Sequence, residues 1–404
     1  EIELEELELE RIALTRYIRL IRKNLARADD GAALARAVAG ARETAGLFAV
    51  EGWAPVDRLE AVERFAGERG LALLAAPPGE EETPPTRLDN ALPAAAGEDL
   101  ARFYQIPGPR DWDPSGVLAA SFAAFFAMVL SDAGYGLVVL LAAAALWPRL
   151  GGGPQGRRLR VLALALGAAA VLYGIAAGSY FGLPPPAGTP PAALVLLDPR
   201  DPATMMTVSI AIGVFHVALG SAAIVWRRWP DPRARAALGW IAVALGGFVA
   251  WRGHAAGVSE IRGLGLALAA LGLAGVVLFR GRHRLDGASG LLRRAGEGLL
   301  GLGLVPQMFG DVLSYLRLFA LGLASASLAV TFNGLAADLA AGTGGPGLLL
   351  AILVALVGHG LNFALAVVGG VVHGLRLNFI EFYNWGLVEE GYAFRPLERK
   401  EIRV

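Results

Sequence analysis

Over residues 1–28 apolar positions recur at heptad spacing, with Leu7, Leu14 and Ile21 in one series and Leu4, Ile18 and Leu25 in the other, among many Glu and Arg. The pattern predicts one strand of a coiled coil, a lone amphipathic surface helix being the alternative. So narrow a stripe needs a partner helix. None follows within 1–112, and the partner is expected upstream of Glu1. Residues 47–53 then read as a strand, 56–69 as a helix with Leu59, Val62 and Phe65 on one face, and 71–74 as a second strand, together a small α/β lobe. A Pro-rich linker at 77–85 and a polar stretch at 86–112 lead to Asp113-Pro114.

From residue 114 the pattern changes to long apolar runs separated by short Arg-rich loops. A helix needs about 20 apolar residues to cross a bilayer, which makes 160–181, 204–226, 236–252 and 262–280 single crossings. Three segments, 114–148, 298–338 and 347–388, are too long for one simple crossing. Arg149, Arg157, Arg158 and Arg160 share one loop, Arg227, Arg228, Arg233 and Arg235 a second, and Arg280, Arg282, Arg284, Arg293 and Arg294 a third. All three are expected in the cytoplasm, with the C-terminal Arg395, Arg399, Lys400 and Arg403. The loops near 182–203, 253–261 and 339–346 face the other side. That parity requires 114–148 to be a hairpin of two short helices turning at Ser131-Asp132-Ala133-Gly134-Tyr135-Gly136, where Asp132 reads as a turn residue rather than a proton carrier. The last two segments stay single crossings, each roughly 60 Å long against a core of about 30 Å, hence steeply tilted. The expected fold is an all-α membrane domain of eight transmembrane helices over 113–404, both termini cytoplasmic. It follows an α+β cytoplasmic domain with a coiled coil over 1–112.

Composition agrees with a membrane protein. The chain is 55% hydrophobic yet carries 36 basic and 36 acidic residues, so its charges are segregated from the apolar runs. Without cysteine it has no disulfide and no thiolate metal site. No cofactor or metal is expected, and no nucleic-acid partner.

Two arginines break the apolar runs, Arg317 and Arg376. A charge at bilayer depth costs from about 3 to more than 10 kcal/mol and is normally functional. At about 100° per residue, Gln307, Asp311, Ser314 and Arg317 fall on one face of the penultimate helix. His359, Asn362, His373, Arg376, Glu381 and Asn384 fall on one face of the last. Interhelical hydrogen bonding explains a lone Asn362 or Ser314, but not both arginines. Arg317 has Glu381 or Asp311 as static partners, and two arginines with so few nearby acids imply an anionic partner on another subunit. His216 and His254 read as packing residues.

The same residues carry a family resemblance. Phe-Gly-Asp-Val-Leu-Ser-Tyr-Leu-Arg-Leu-Phe-Ala-Leu (309–321), Gly-His-Gly-Leu-Asn-Phe-Ala-Leu (358–365), His-Gly-Leu-Arg-Leu-Asn-Phe-Ile-Glu-Phe (373–382), Gly-Tyr-Ala-Phe-Arg-Pro (391–396), the hairpin tip at 131–136 and Glu-Gly-Trp-Ala-Pro (51–55) are similar to the a subunit of the rotary V/A-type ATPases, called subunit I in bacteria and archaea. The resemblance covers about 47–404. One departure is Leu130-Ser131, where the family more often has Phe-Gly. The resemblance implies a stator in a prokaryotic plasma membrane, beside proteolipid c-ring subunits that each bear a carboxylate. Its further partners are then peripheral stalk subunits and the soluble V1/A1 sector that makes or hydrolyses ATP. Arg317 and Arg376 match the family's essential arginine and its neighbour, and two offset half-channels carry protons to the ring carboxylate. A nearby cation favours the ionised carboxylate, and arginine itself does not deprotonate. The chain has no P-loop, so nucleotide chemistry belongs to partners. A stand-alone secondary transporter is the competing class; it predicts internal repeats, and none is visible.

Overall fold

The computed structural model describes residues 2–44, 46–79, 81–198, 201–281, 287–342 and 344–399. It separates into two units, Glu1–Arg87 with Ala393–Val404, and Leu88–Tyr392.

In the first unit a single helix, α1 (Ile2–Ala39), runs past residue 28 through an Ala-rich stretch of high helix propensity. Leu7, Leu14, Ile18, Ile21 and Leu25 of its heptad stripe are exposed. Strands β1 (Arg42–Thr44) and β2 (Leu47–Ala49) pair antiparallel, Glu43 opposite Phe48. A 3-10 turn at Val56–Arg58 opens α2 (Leu59–Arg69), which Gly70 closes at φ 64°, the left-handed position that glycine occupies without a Cβ penalty. The strand expected at 71–74 does not form, and that at 47–53 stops at Ala49. Each lacks a further neighbour to take its ladder hydrogen bonds. Among the described residues Ala66 is the one buried hydrophobic side chain of this unit.

The second unit begins with α3 (Ala95–Tyr104), lying on the start of α4 (Ser115–Leu130). Gly97 sits so close there that a Cβ would come within 1.8 Å of the Ser115 carbonyl oxygen. After only two residues α5 (Ala133–Ala145) follows, with Ser131 at φ 51° and Asp132 capping the new helix. Both arms pack on α6 (Pro154–Ala176): Gly136 lies against Val171, Gly167 against Leu140, and Phe126, Leu130 and Tyr135 surround Ala170. The chain has thereby returned to the level of Ser115, because Arg158 at the start of α6 pairs with Glu98 and Asp99 of α3 at 2.9 Å each. The tight hairpin expected over 114–148 is present.

A loop carrying the one-turn α7 (Pro190–Ala193) leads to α8 (Pro202–Arg228). Its last residue, Arg228, pairs with Asp111 ahead of α4 at 2.8 Å. Next, α9 (Pro232–Ala255) and α10 (Ser259–Arg280) form a close hairpin in which Gly239 and Gly246 face Gly272 and Gly265 backbone to backbone. The penultimate run comprises α11 (Gly287–Gly301), a 3-10 turn at Leu302–Leu304, α12 (Val305–Leu313) and α13 (Leu316–Gly342). The last comprises α14 (Gly344–Arg376), a π-helical segment at Leu377–Phe382 and α15 (Tyr383–Gly386). A short ladder, β3 (Ile106–Pro107) on β4 (Glu390–Gly391), ties the approach to α4 to the exit from α15.

Six helices among the described residues are long and apolar enough to cross a membrane: 154–176, 202–228, 234–255, 259–280, 296–342 and 346–386. The hairpin arms α4 and α5 are apolar but shorter, at 16 and 13 residues. The described Arg-rich loop ends gather at one end of this unit. Arg158 and Arg228 are placed by their ion pairs, and the Arg235 guanidinium lies over Trp229 and over Phe279, beside Arg280. Arg282, Arg284, Lys400 and Arg403 lie outside the described residues. The two long helices are not the uninterrupted rods expected: beyond the 3-10 turn at Leu302–Leu304, one break falls just before Arg317 and another directly after Arg376.

Candidate functional site

Between α12 and α13 the backbone tightens. Tyr315 N–H donates to Val312 O, Arg317 N–H to Ser314 O and Leu318 N–H to Tyr315 O, at 3.2, 3.2 and 3.0 Å, each three residues back rather than four. In the last run the opposite occurs, six π-helical residues starting directly after Arg376. Such departures are held by tertiary contacts and concentrate at functional sites. Asn378, fully buried in the π segment, donates to Gly374 O at 3.0 Å and accepts from Ser121 Oγ of α4 at 2.5 Å, pinning the widened turn.

Glu381 lies inside that segment, 2% exposed, and meets both arginines. Its Oε1 is 3.9 Å from Arg317 Nη1 and 4.0 Å from Arg376 Nε. The two nitrogens therefore lie less than 8 Å apart, across two helices. Neither contact has hydrogen-bond length, so the lone carboxylate is shared loosely between two cations. Arg317 Nη1, Glu381 Oε2 and His373 Nδ1, one turn before Arg376, are all buried without a hydrogen bond. Three unsatisfied polar atoms around one charge cluster mark a place that water or another chain completes.

A second polar group sits farther along both helices. His359 Nε2 is 2.9 Å from Asn333 Oδ1 and its Nδ1 is 2.8 Å from the Tyr135 hydroxyl; Asn362 Nδ2 lies 3.0 Å from the same hydroxyl and 2.8 Å from Ser325 O. The protons follow from the acceptors. Asn333 Oδ1 only accepts, so His359 carries its proton on Nε2, its bare Nδ1 accepts from Tyr135, and Tyr135 accepts from Asn362. Asn333 completes the line by donating to Phe181 O at 2.7 Å. A neutral His359 thus satisfies every member. Asp132 anchors the adjoining turn, accepting from Tyr135 N–H, Ser179 Oγ, Phe181 N–H and Gly182 N–H at 3.0, 2.6, 2.9 and 2.8 Å. Four donors on one buried carboxylate make it the structural turn residue that its position suggested.

No family model matches the chain. Curated relatives do: subunit I of the V-type ATP synthase of Chlamydia pneumoniae is 28% identical over 87% of this chain and 61% of its own length. Subunit I of the A-type ATP synthases of Thermococcus kodakarensis and Methanocaldococcus jannaschii are 30% and 26% identical, over 87% of this chain and 54% and 55% of theirs. The chain is a homologue of ATP synthase subunit I. It spans about three-fifths of the length of the first of these relatives.

For a subunit I homologue, the expected residues sort into distinct groups. Arg317, Arg376, Glu381 and His373 converge, and Ser314 sits in the tightened turn, its Oγ on Gly310 O at 3.0 Å. Asp311 lies apart, accepting from Trp385 Nε1 at 2.7 Å. His359 and Asn362 belong to the Tyr135 network. Gln307 and Asn384 are exposed, Asn384 with its side chain on Asp311. Sequence reasoning missed Tyr135, Asn333 and Tyr315 as partners. A lone polar residue in an apolar helix was the available signal for Asn333; Tyr315 had none.

Proposed function

We propose that the chain is the membrane stator of a rotary V/A-type ATP synthase or ATPase, carrying protons past a ring of carboxylate-bearing proteolipid subunits. The observation that carries this reading is the convergence of Arg317 and Arg376 on Glu381, with Arg317 Nη1, His373 Nδ1 and Glu381 Oε2 left unsatisfied. Two cations against one carboxylate leave room for a second, mobile carboxylate, whose ionised form the arginines favour. The Tyr135–His359–Asn362 line is the polar lining of one half-channel, and the Arg317 end of the cluster borders the other. Peripheral stalks bind the first unit, whose exposed α1 stripe pairs as a coiled coil. The soluble sector that makes or hydrolyses ATP couples through them.

Eight crossings, six long helices plus the α4–α5 hairpin, with both termini in the cytoplasm of a prokaryote, fit the gathering of Arg-rich loops at one end. Cysteines at 155 and 187 of this naturally Cys-free chain report the sidedness. Gln155→Cys reacts with an impermeant thiol reagent from the cytoplasm alone and Ala187→Cys from outside alone; labelling of 155 from outside rejects the topology. For the function, Arg317→Ala in the assembled complex, reconstituted in vesicles, abolishes ATP-driven proton pumping while the complex still assembles. Near-normal pumping by that variant sinks the reading.

A further inference from the structure

His216 lies on α8, outside the arginine cluster, and is 4% exposed. Its Nδ1 is 2.7 Å from the hydroxyl of Tyr315, itself wholly buried in the tightened turn two residues before Arg317. The other side of the imidazole belongs to the π segment: its ring stacks on Phe382, next in sequence to Glu381, with centroids 4.2 Å apart and planes 5° off parallel. Phe125 of α4 closes the edge at 5.2 Å and 79°. One side chain thus holds both departures from α-helical winding, one by a hydrogen bond and one by a ring face. Space for the arrangement is made by Gly213, one turn earlier on α8, where a Cβ would sit 2.8 Å from the Tyr315 ring.

The remaining ring nitrogen, Nε2, is buried without a partner. The Tyr315 hydroxyl has no second hydrogen-bond partner among the described residues either, so the bond to Nδ1 is the polar link that joins the two side chains. Histidine suits such a site because it combines a flat face with one directed hydrogen-bonding nitrogen; phenylalanine supplies the face alone.

We propose that His216 is a positioning residue for ion translocation, locking the tightened turn of the penultimate run to the π segment of the last so that Arg317 and the Glu381–Arg376 pair face a common point. The inference rests on the stator reading. It predicts that breaking the His216–Tyr315 hydrogen bond lets the two arginines drift relative to each other, so that rotation slips against proton transfer.

The test uses the full subunit in its complex, reconstituted in vesicles, with protons pumped per ATP hydrolysed as readout. Tyr315→Phe removes one hydroxyl and keeps the ring volume, and His216→Phe keeps the stack and removes the hydrogen-bonding nitrogen. Each lowers the ratio about three- to tenfold, the size of one net hydrogen bond, and the double variant is no worse than either single one because both remove the same bond. His216→Asn, which can still reach Tyr315, recovers part of the ratio. An unchanged ratio in both single variants overturns the proposal, as does a double variant whose losses multiply, or a fall in complex yield with no change in ratio. Arg317→Ala run alongside separates the failures. If it abolishes pumping while the His216 and Tyr315 variants stay coupled, only the positioning role is lost; if it pumps normally, the stator reading falls and this inference with it.

Discussion

The sharing of Glu381 between two arginines is unequal, and the inequality can be measured. A unit-charge pair about 4 Å apart at an effective dielectric of about 20 attracts by about 4 kcal/mol before desolvation and entropy are charged against it. Solvent removes most of this for Arg376, whose side chain is 53% exposed, leaving the 0 to roughly 1 kcal/mol of a surface pair. Arg317, 22% exposed against a carboxylate that is 2% exposed, retains more, about 1–2 kcal/mol, through the same Oε1. Two double-mutant cycles test this: Arg317→Gln with Glu381→Gln, and Arg376→Gln with Glu381→Gln. Denaturant unfolding of the purified subunit in detergent gives each interaction energy as the departure from additivity. The first cycle is expected to couple by about 1–2 kcal/mol and the second by less than about 1 kcal/mol. Equal coupling, or stronger coupling to Arg376, refutes the assignment of Arg317 as the principal partner.

Two structural predictions concern the frame around the site. Asp111 accepts from Arg228 Nη2, Val388 N–H and Glu389 N–H at 2.8, 3.0 and 2.9 Å, so Asp111→Ala costs about 3 kcal/mol and lowers the unfolding midpoint, Asp111→Asn less; an unchanged midpoint with alanine rejects the clamp. In the α9–α10 hairpin a Cβ on Gly246 would lie 2.5 Å from Ala269 N, whereas one on Gly263 meets nothing within 4 Å. Gly246→Val therefore abolishes recovery of folded subunit while Gly263→Ala is neutral, measured by detergent-extracted yield and size-exclusion profile; equal yields reject the close packing.

Features that depend on composition over many residues were legible before any coordinates. The apolar runs, the Arg-rich loops and the hairpin forced by their parity all emerge from counting, and each has its counterpart in the fold. Arg317, Arg376 and Glu381 were legible too, because a charge in an apolar run declares itself. Partners were less so. Tyr135 and His359 are 224 positions apart, and His216 and Tyr315 are 99 apart; no local pattern encodes such pairings. The first lobe was overread for a related reason: 71–74 has the composition of a strand, but a strand needs a neighbour.

The placing of Gln307 and Asn384 rested on regular winding. Both were assigned to the arginine faces by a constant 100° per residue. That rule assumes unbroken α-helix between each residue and its arginine. Gln307 is separated from Arg317 by the i to i−3 turn at 315–318, where winding approaches three residues per turn and each step rotates about 120°. Asn384 is separated from Arg376 by six π-helical residues, each rotating less than in an α-helix. Overwinding in one run and underwinding in the other each shift the angle that the constant rule assigns. Neither Ser314-Tyr315 nor Leu377-Asn378 contains the Pro or Gly that would announce a break. The breaks are instead held from outside, by His216 on Tyr315 and Phe382 and by Ser121 on Asn378. Glu381 exposes the consequence: it lies five residues beyond Arg376 and still reaches back to within 4.0 Å of it, because a π turn brings residue i+5 over residue i as an α turn brings i+4. Restoring α-helical winding would turn that carboxylate away from Arg376, so the widened turn is itself part of how the two arginines come to share one acid.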